Sequence, residues 1–346
     1  MRAERSAHRA TRSKRAFRRR WDQLDNSLER YDLIAIGGGT AGLVSAAGAA
    51  ALGLRAALCE REALGGDCLW TGCVPSKALL ASARLARSIV CASEFGLPEH
   101  PPEVVFATVM KRMRRERARV AEHDDPERFR KLGVEVIFGT ALVTAPGEVR
   151  VADRSLAASH IVVATGAGPS VPPIEGLEAA GYLTYADAFD QDELPPRIAI
   201  LGGGPIGIEF AQIYSRLGAR VTVLEQLPRI LAQEEPDASS ALREALAAEG
   251  IDIRTEAAVT TVRAGTAGGK VVHATTPEGT SELVVDEVFV ATGRRAHGAG
   301  IGLEEIGVVL DAGAVVVDRK LESAVSGIWA AGDVAGGPQF THVAEY

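Results

Sequence analysis

Short apolar runs, each ending at a glycine cluster and followed by a small-residue stretch, set the pattern of this chain. Tyr31-Asp-Leu-Ile-Ala-Ile36 reads as a strand. Gly37-Gly-Gly39-Thr-Ala-Gly42 follows it directly, and an alanine-rich helical run extends to about Gly53. Leu54 to Leu58 is a second strand leading to Glu60. The order returns further on: strand Arg197-Ile-Ala-Ile-Leu201, loop Gly202-Gly-Gly204-Pro-Ile-Gly207, helix Glu209 to Leu217, and strand Arg220-Val-Thr-Val-Leu224 closed by Glu225. Continuous apolar runs bounded by turn signals suit parallel strands covered on both faces. Strands alternating with helices predict an α/β protein built of two doubly wound, Rossmann-like nucleotide-binding domains.

Both loops carry the spacing Gly-x-Gly-x-x-Gly between a strand and a helix, the context in which that spacing has meaning. Gly37 permits the tight turn, Gly39 lets the backbone approach a pyrophosphate, and Gly42 lets helix and strand pack closely. The helix N-terminus then meets the phosphates, and Glu60 can accept hydrogen bonds from a ribose. Gly202, Gly204, Gly207 and Glu225 stand 165 residues beyond Gly37, Gly39, Gly42 and Glu60. One such loop often marks only a strand–helix turn. Two, each with an acid 18 residues past its third glycine, argue against chance.

A second marker repeats as well. Ile161-Val-Val-Ala-Thr165-Gly166 and Val288-Phe-Val-Ala-Thr-Gly293 are strands ending in Ala-Thr-Gly. Gly42 to Gly166 is 124 residues and Gly207 to Gly293 is 86, so the first copy holds 38 more. The excess falls after Glu60, in helices predicted from Ser76 through Phe95 and from Val104 to Arg119.

A chain of 346 residues is long enough for about two domains. Its net charge of −7 hides an asymmetry. Residues 1–20 hold nine arginines and lysines against Glu4 alone, a balance of +8, which leaves −15 on the remainder. An acidic body argues against nucleic-acid binding by the folded part. Residues 1–30 are expected to form a basic, disordered arm. An organelle transit peptide, or contact with nucleic acid or anionic lipid, is the alternative. No apolar run approaches the ~18 residues that span a membrane, and the expected location is the cytoplasm. The basic run Lys111–Arg119 is expected to be a solvated helix face.

Four cysteines are too few for a disulfide scaffold in a chain of this length. Cys59, in an apolar strand, and Cys91, in a helix-like stretch, are expected to be buried or inert. Cys68 and Cys73 differ. They lie in Leu64-Gly65-Gly66-Asp67-Cys68-Leu-Trp-Thr-Gly-Cys73-Val-Pro75-Ser-Lys77. Four intervening residues can bring two cysteines within disulfide range across one distorted helical turn. The preceding glycines permit close approach to a cofactor, and a helix starting near Gly72 would favour a thiolate at Cys73. Zinc is the competing reading. It needs four ligands, and no second Cys or His pair is suitably spaced.

With both loops, this cysteine segment, both Ala-Thr-Gly strands and Gly327-Ile-Trp-Ala-Ala-Gly-Asp333, residues 31–346 resemble the class I pyridine nucleotide–disulfide oxidoreductases. That family includes dihydrolipoamide dehydrogenase, glutathione reductase and mercuric reductase. The resemblance implies that the first loop holds FAD, with Gly66, Thr165, Gly166, Asp333 and Thr341 beside it, and that the second holds NAD(P)H together with Gly293. It implies Cys68 as the interchange thiol, Cys73 as the flavin-facing thiol, and Lys77 with Glu209 as an ion pair at the flavin. It further implies a small-molecule or protein-bound disulfide as acceptor, and a homodimer for the full-length protein.

The sequence also departs from the family. Trp70-Thr71 stands where dihydrolipoamide dehydrogenases usually carry Asn-Val, and the second cysteine pair of mercuric reductases is missing. The chain ends at Tyr346, before the C-terminal dimerisation domain that carries the family's His–Glu acid–base pair. His342 follows Asp333 too closely to be that base. The expected organisation is residues 31–170 and 297–346 for FAD, with 171–296 for the nicotinamide nucleotide. The expected function is an NADH:disulfide oxidoreductase of dihydrolipoamide dehydrogenase type. A mercuric-reductase-like enzyme, a flavin quinone reductase and a flavin-binding fragment without turnover are the alternatives. Glu225, facing a ribose, predicts NAD(H) over NADP(H).

Overall fold

A computed structural model describes residues 28–98, 103–265 and 268–346, and the basic arm falls almost wholly outside them. The chain divides into two compact units. The first comprises the residues up to Gly66, His123–Ala167 and Ala296–Tyr346; the second comprises Asp67–Glu122 and Gly168–Arg295.

In the first unit a parallel sheet runs in the order Val134–Phe138, Ala56–Glu60, Glu29–Ile36, Arg154–Val163. Ile328–Ala330 pairs in parallel with the C-terminal half of Arg154–Val163. Antiparallel strands Glu148–Val151 and Ala141–Ala145 extend the sheet from its N-terminal half. Successive residues of a strand face opposite sides, and here both sides are covered. Ile34 and Ile36 pack with Ile161, Val163 and Ile328 on one side. Ala35 and Leu58 pack with Leu43 and Ala46 of the helix Thr40–Ala51 on the other.

The second unit repeats the core as Asp252–Arg254, Arg220–Leu224, Arg197–Leu201, Glu287–Val290, all parallel. One face meets a three-stranded antiparallel sheet, Ala258–Ala264, Lys270–Thr276 and Gly279–Val285. The other meets the helix Pro205–Arg216, where the Phe210 ring lies tilted against Phe289 with centroids 4.4 Å apart.

The cysteine segment opens the second unit. Its helices run Cys73–Val90 and Phe106–Ala121, with a 3₁₀ turn at Ala92–Phe95 between them. Leu79, Ala83, Phe106, Met110 and Met113 pack with Phe189, Ile208 and Phe210. Residues 67–122 therefore share a core with the second loop, whereas the sequence reading groups them with the first. Apolar side chains on one face of each helix find that core from far along the chain. Among the described residues, no helix is long and apolar enough to cross a membrane.

Candidate functional site

Each glycine loop is held by the strand ends around it. Gly37 has φ +109°, and a Cβ there would lie 2.2 Å from the Ala164 carbonyl oxygen. A Cβ on Gly42 would lie 1.8 Å from the Gly37 oxygen, so side chains are excluded at both positions by backbone. Gly202, at φ +107°, meets the Ala291 oxygen at 2.4 Å in the same way, and Gly207 meets the Gly202 oxygen at 2.0 Å. The Ala-Thr-Gly strands are thus the walls behind the two loops. Thr165, Gly166 and Gly293 sit at the strand ends, and the Thr165 hydroxyl donates to the His297 carbonyl at 2.7 Å.

The two acids do the same work twice. Glu60 Oε2 accepts the Gly38 N–H at 2.6 Å, and Oε1 accepts the Glu62 N–H at 2.8 Å. Glu225 Oε2 accepts the Gly203 N–H at 2.6 Å, and Oε1 accepts the Leu227 N–H at 2.8 Å. Each carboxylate therefore fixes its loop, and each oxygen keeps further lone-pair capacity for a ribose hydroxyl.

The residues that resemblance assigns to FAD, apart from Lys77, converge within the first unit. Gly332 packs against Ala41 of the helix Thr40–Ala51 and against Ala344, with a built Cβ at 3.2 and 3.5 Å from their Cβ atoms. That brings the Gly-Asp turn, with Asp333 after Gly332, to the start of the first loop's helix. Thr341 opens the short helix Thr341–Glu345, which packs on the same helix. Gly65 donates to the Gly38 carbonyl at 2.8 Å, and a Cβ on Gly66 would lie 2.7 Å from Gly39 Cα. Glycine against glycine leaves a side-chain-free cradle above the helix N-terminus, the surface a pyrophosphate needs. FAD fits this set of residues.

In the second unit, Cys68 lies on the short helix Gly66–Trp70 and is half-buried, while Cys73 is the exposed first residue of Cys73–Val90. Lys77 stands one turn after Cys73, and its Nζ donates to Glu209 Oε1 at 2.6 Å. The predicted ion pair is present, with Glu209 on the helix that the second loop opens. Cys59 is buried in its strand, where loss of solvent pushes its thiol up to about 12. Cys91, at the end of its helix, is half-buried.

The sequence reading missed four contacts here. Asp67 forms an ion pair with Arg294, the residue after the second Ala-Thr-Gly. Arg117 donates to the Trp70 carbonyl at 3.0 Å. Arg112 and Arg114 likewise bind the Ala78 carbonyl and Asp192, at 2.8 and 2.7 Å. The run Lys111–Arg119 is therefore only in part a solvated face. The signal was present for Arg117, which follows Phe106, Met110 and Met113 at helical spacing.

The family profile described as pyridine nucleotide-disulphide oxidoreductase matches residues 31–346. A dihydrolipoyl dehydrogenase of Rhizobium etli is 37% identical over 341 residues, covering 92% of this chain and 70% of that protein. A mercuric reductase of Streptomyces lividans is 35% identical over 321 residues, covering 91% and 67%. Among solved structures, the HOCl-induced flavoprotein disulfide reductase RclA from Escherichia coli is similar with a TM-score of 0.80 at 30% identity, over 91% of this chain and 68% of that one. The paired glycine loops, the cysteine segment and these matches agree: the chain belongs to the pyridine nucleotide-disulphide oxidoreductases, flavoenzymes that use FAD and a pyridine nucleotide.

Proposed function

We propose that this chain is an NADH-dependent disulfide oxidoreductase of the dihydrolipoamide dehydrogenase type, with Cys68 and Cys73 as its redox pair. The observation that carries this reading is the face of the helix Cys73–Val90. Cys73 and Lys77 stand one turn apart there, both exposed, with Lys77 bonded to Glu209. A cysteine, a cation and the second loop's helix are thereby tied together.

FAD would be held by Gly37, Gly39, Gly42, Glu60, Gly66, Thr165, Gly166, Asp333 and Thr341. NADH would be held by Gly202, Gly204, Gly207, Glu225 and Gly293. When bound, FAD would supply two-electron redox chemistry between a nicotinamide and a disulfide. The chain's own chemistry is thiol exchange. Cys68, as thiolate, attacks one sulfur of an acceptor disulfide and releases the other as a thiol. Cys73 then displaces the mixed disulfide, closing Cys68–Cys73 and freeing the second acceptor thiol. The acceptor is a small-molecule or protein-bound disulfide, and the full-length enzyme is a homodimer.

Glu225 supports NADH over NADPH, because its carboxylate would face a 2′-phosphate with like charge. Arg229, the cation nearest along the chain, is turned into its own loop, where Nη2 donates to the Ala232 carbonyl at 2.7 Å.

Absorbance spectra of the FAD-loaded protein and two variants test the assignment. Two-electron reduction should produce a long-wavelength thiolate–flavin band in wild type. Cys68→Ser should retain such a band, whereas Cys73→Ser should have none. Equal spectra from the two variants would overturn the thiol roles, and a protein that takes up no FAD would overturn the whole reading.

A further inference from the structure

The basic helix Phe106–Ala121 has no part in the thiol exchange just described, yet it reaches the cysteine segment. Phe106, Met110 and Met113 form its buried stripe, and the next position on that stripe is Arg117. Besides its bond to the Trp70 carbonyl, the Arg117 guanidinium carbon lies 5.5 Å from the centre of the Trp70 ring. Trp70 ends the helix Gly66–Trp70, where the chain leaves helical geometry before resuming it at Cys73. A carbonyl at such an end lacks a partner within its helix, and a cationic side chain is a favoured donor there.

The other end of the segment is held as well. Asp67, the residue before Cys68, pairs with Arg294, whose guanidinium carbon lies 5.5 Å from the centre of the Tyr185 ring. The Asp67 carbonyl accepts the Thr71 N–H at 2.9 Å, and its Oδ1 accepts the Thr71 hydroxyl at 3.4 Å. A Cβ on Gly72 would stand 2.7 Å from the Asp67 carbonyl oxygen. The backbone between the cysteines is folded back on itself and gripped from two sides.

From these contacts we propose that Arg117 and Arg294 are positioning residues for the Cys68–Cys73 pair. They hold the interrupted helix so that closing the disulfide demands little further ordering of the chain. The inference rests on the proposed redox role of the two cysteines. In the exchange with glutathione disulfide, Cys68 and Cys73 lose their S–H bonds and gain one S–S bond. The glutathione S–S bond breaks, and its two thiols receive both electrons and both protons. Without the grip, the reduced segment gains conformational freedom that the closed form cannot share, so closure becomes less favourable.

The test equilibrates the full chain with glutathione buffers, traps thiols by alkylation and reads Cys68 and Cys73 by mass spectrometry. Arg117→Met and Arg294→Met should each lower the closure constant by about tenfold, or ~30 mV. Arg117→Lys, which still donates to the carbonyl, should recover part of it. Arg115→Met should leave the constant unchanged, since Arg115 pairs with its neighbour Glu116. Asp67→Asn breaks the second grip with little change of size, and covers the case in which Arg294→Met does not fold. A wild type that forms no Cys68–Cys73 disulfide at any buffer ratio would refute the redox reading itself. A measurable wild-type constant that Arg117→Met leaves within about twofold would refute the grip alone.

Discussion

The two glycine loops, 165 residues apart, agree in their framework and differ in what stands in front of it. The agreements are close. The first glycines have φ of +109° and +107°, the third glycines are blocked by the first glycines' oxygens, and the middle N–H groups are each bound by a glutamate at 2.6 Å. The difference lies at the second glycine. A Cβ on Gly39 would meet Gly66 Cα at 3.8 Å, whereas one on Gly204 would meet nothing within 4 Å. The first loop is capped by the Gly65-Gly66 turn, two residues before Cys68. In the second, Leu231 donates to the Gly203 carbonyl at 2.9 Å in the place that Gly65 takes at Gly38. On the proposed assignment, one framework would serve two kinds of ligand: a capped loop suits a cofactor that stays, and an open one suits a nucleotide that exchanges.

The largest effect is expected from filling each third glycine. Gly42→Ala forces a Cβ onto backbone oxygen and should abolish FAD retention, measured as the flavin-to-protein absorbance ratio after gel filtration. Gly207→Ala makes the same clash and should leave that ratio intact while weakening NADH binding by about tenfold or more, in keeping with overpacking costs of ~1–3 kcal/mol. Loss of FAD from Gly207→Ala with retention by Gly42→Ala would reverse the assignment of the two loops.

A gentler comparison concerns the paired glutamates. Two unit charges 4 Å apart repel by ~4 kcal/mol at an effective dielectric of about 20. Screening at an open site reduces this to roughly half, still enough for about tenfold discrimination at ~1.4 kcal/mol per decade. Glu225→Gln should therefore cut the NADH preference in kcat/KM by about tenfold, and Glu60→Gln should leave it unchanged. Glutamine keeps one acceptor oxygen for the Gly203 or the Leu227 N–H, whereas alanine would release both. A wild type that uses NADPH as well as NADH would contradict the role given to Glu225.

Much of this site was legible because its requirements are local. A turn at positive φ, a helix that must touch its strand and an acid at the next strand end each leave a mark at fixed spacing. The glycines, Glu60 and Glu225 were therefore found by pattern alone. The Lys77–Glu209 pair spans 132 residues and was reached only through resemblance. The Asp67–Arg294 pair spans 227 residues and has no local signature. Lys111–Arg119 misled because a basic run looks solvated, and only the phase of Phe106, Met110 and Met113 shows Arg117 facing inward. The same apolar phase carries residues 67–122 into the second unit's core, although strand counting had joined them to the first.

If Cys68 and Cys73 are the redox pair, electrons from a nicotinamide nucleotide arrive at their sulfurs, and counting thiols shows whether they do. The oxidised, FAD-loaded protein is treated anaerobically with NADH, alkylated under denaturing conditions and mapped by mass spectrometry. A gain of two alkylated thiols per chain is expected, at Cys68 and Cys73, with Cys59 and Cys91 labelled equally before and after. No gain on reduction, or a gain at Cys59 or Cys91 instead, would contradict it.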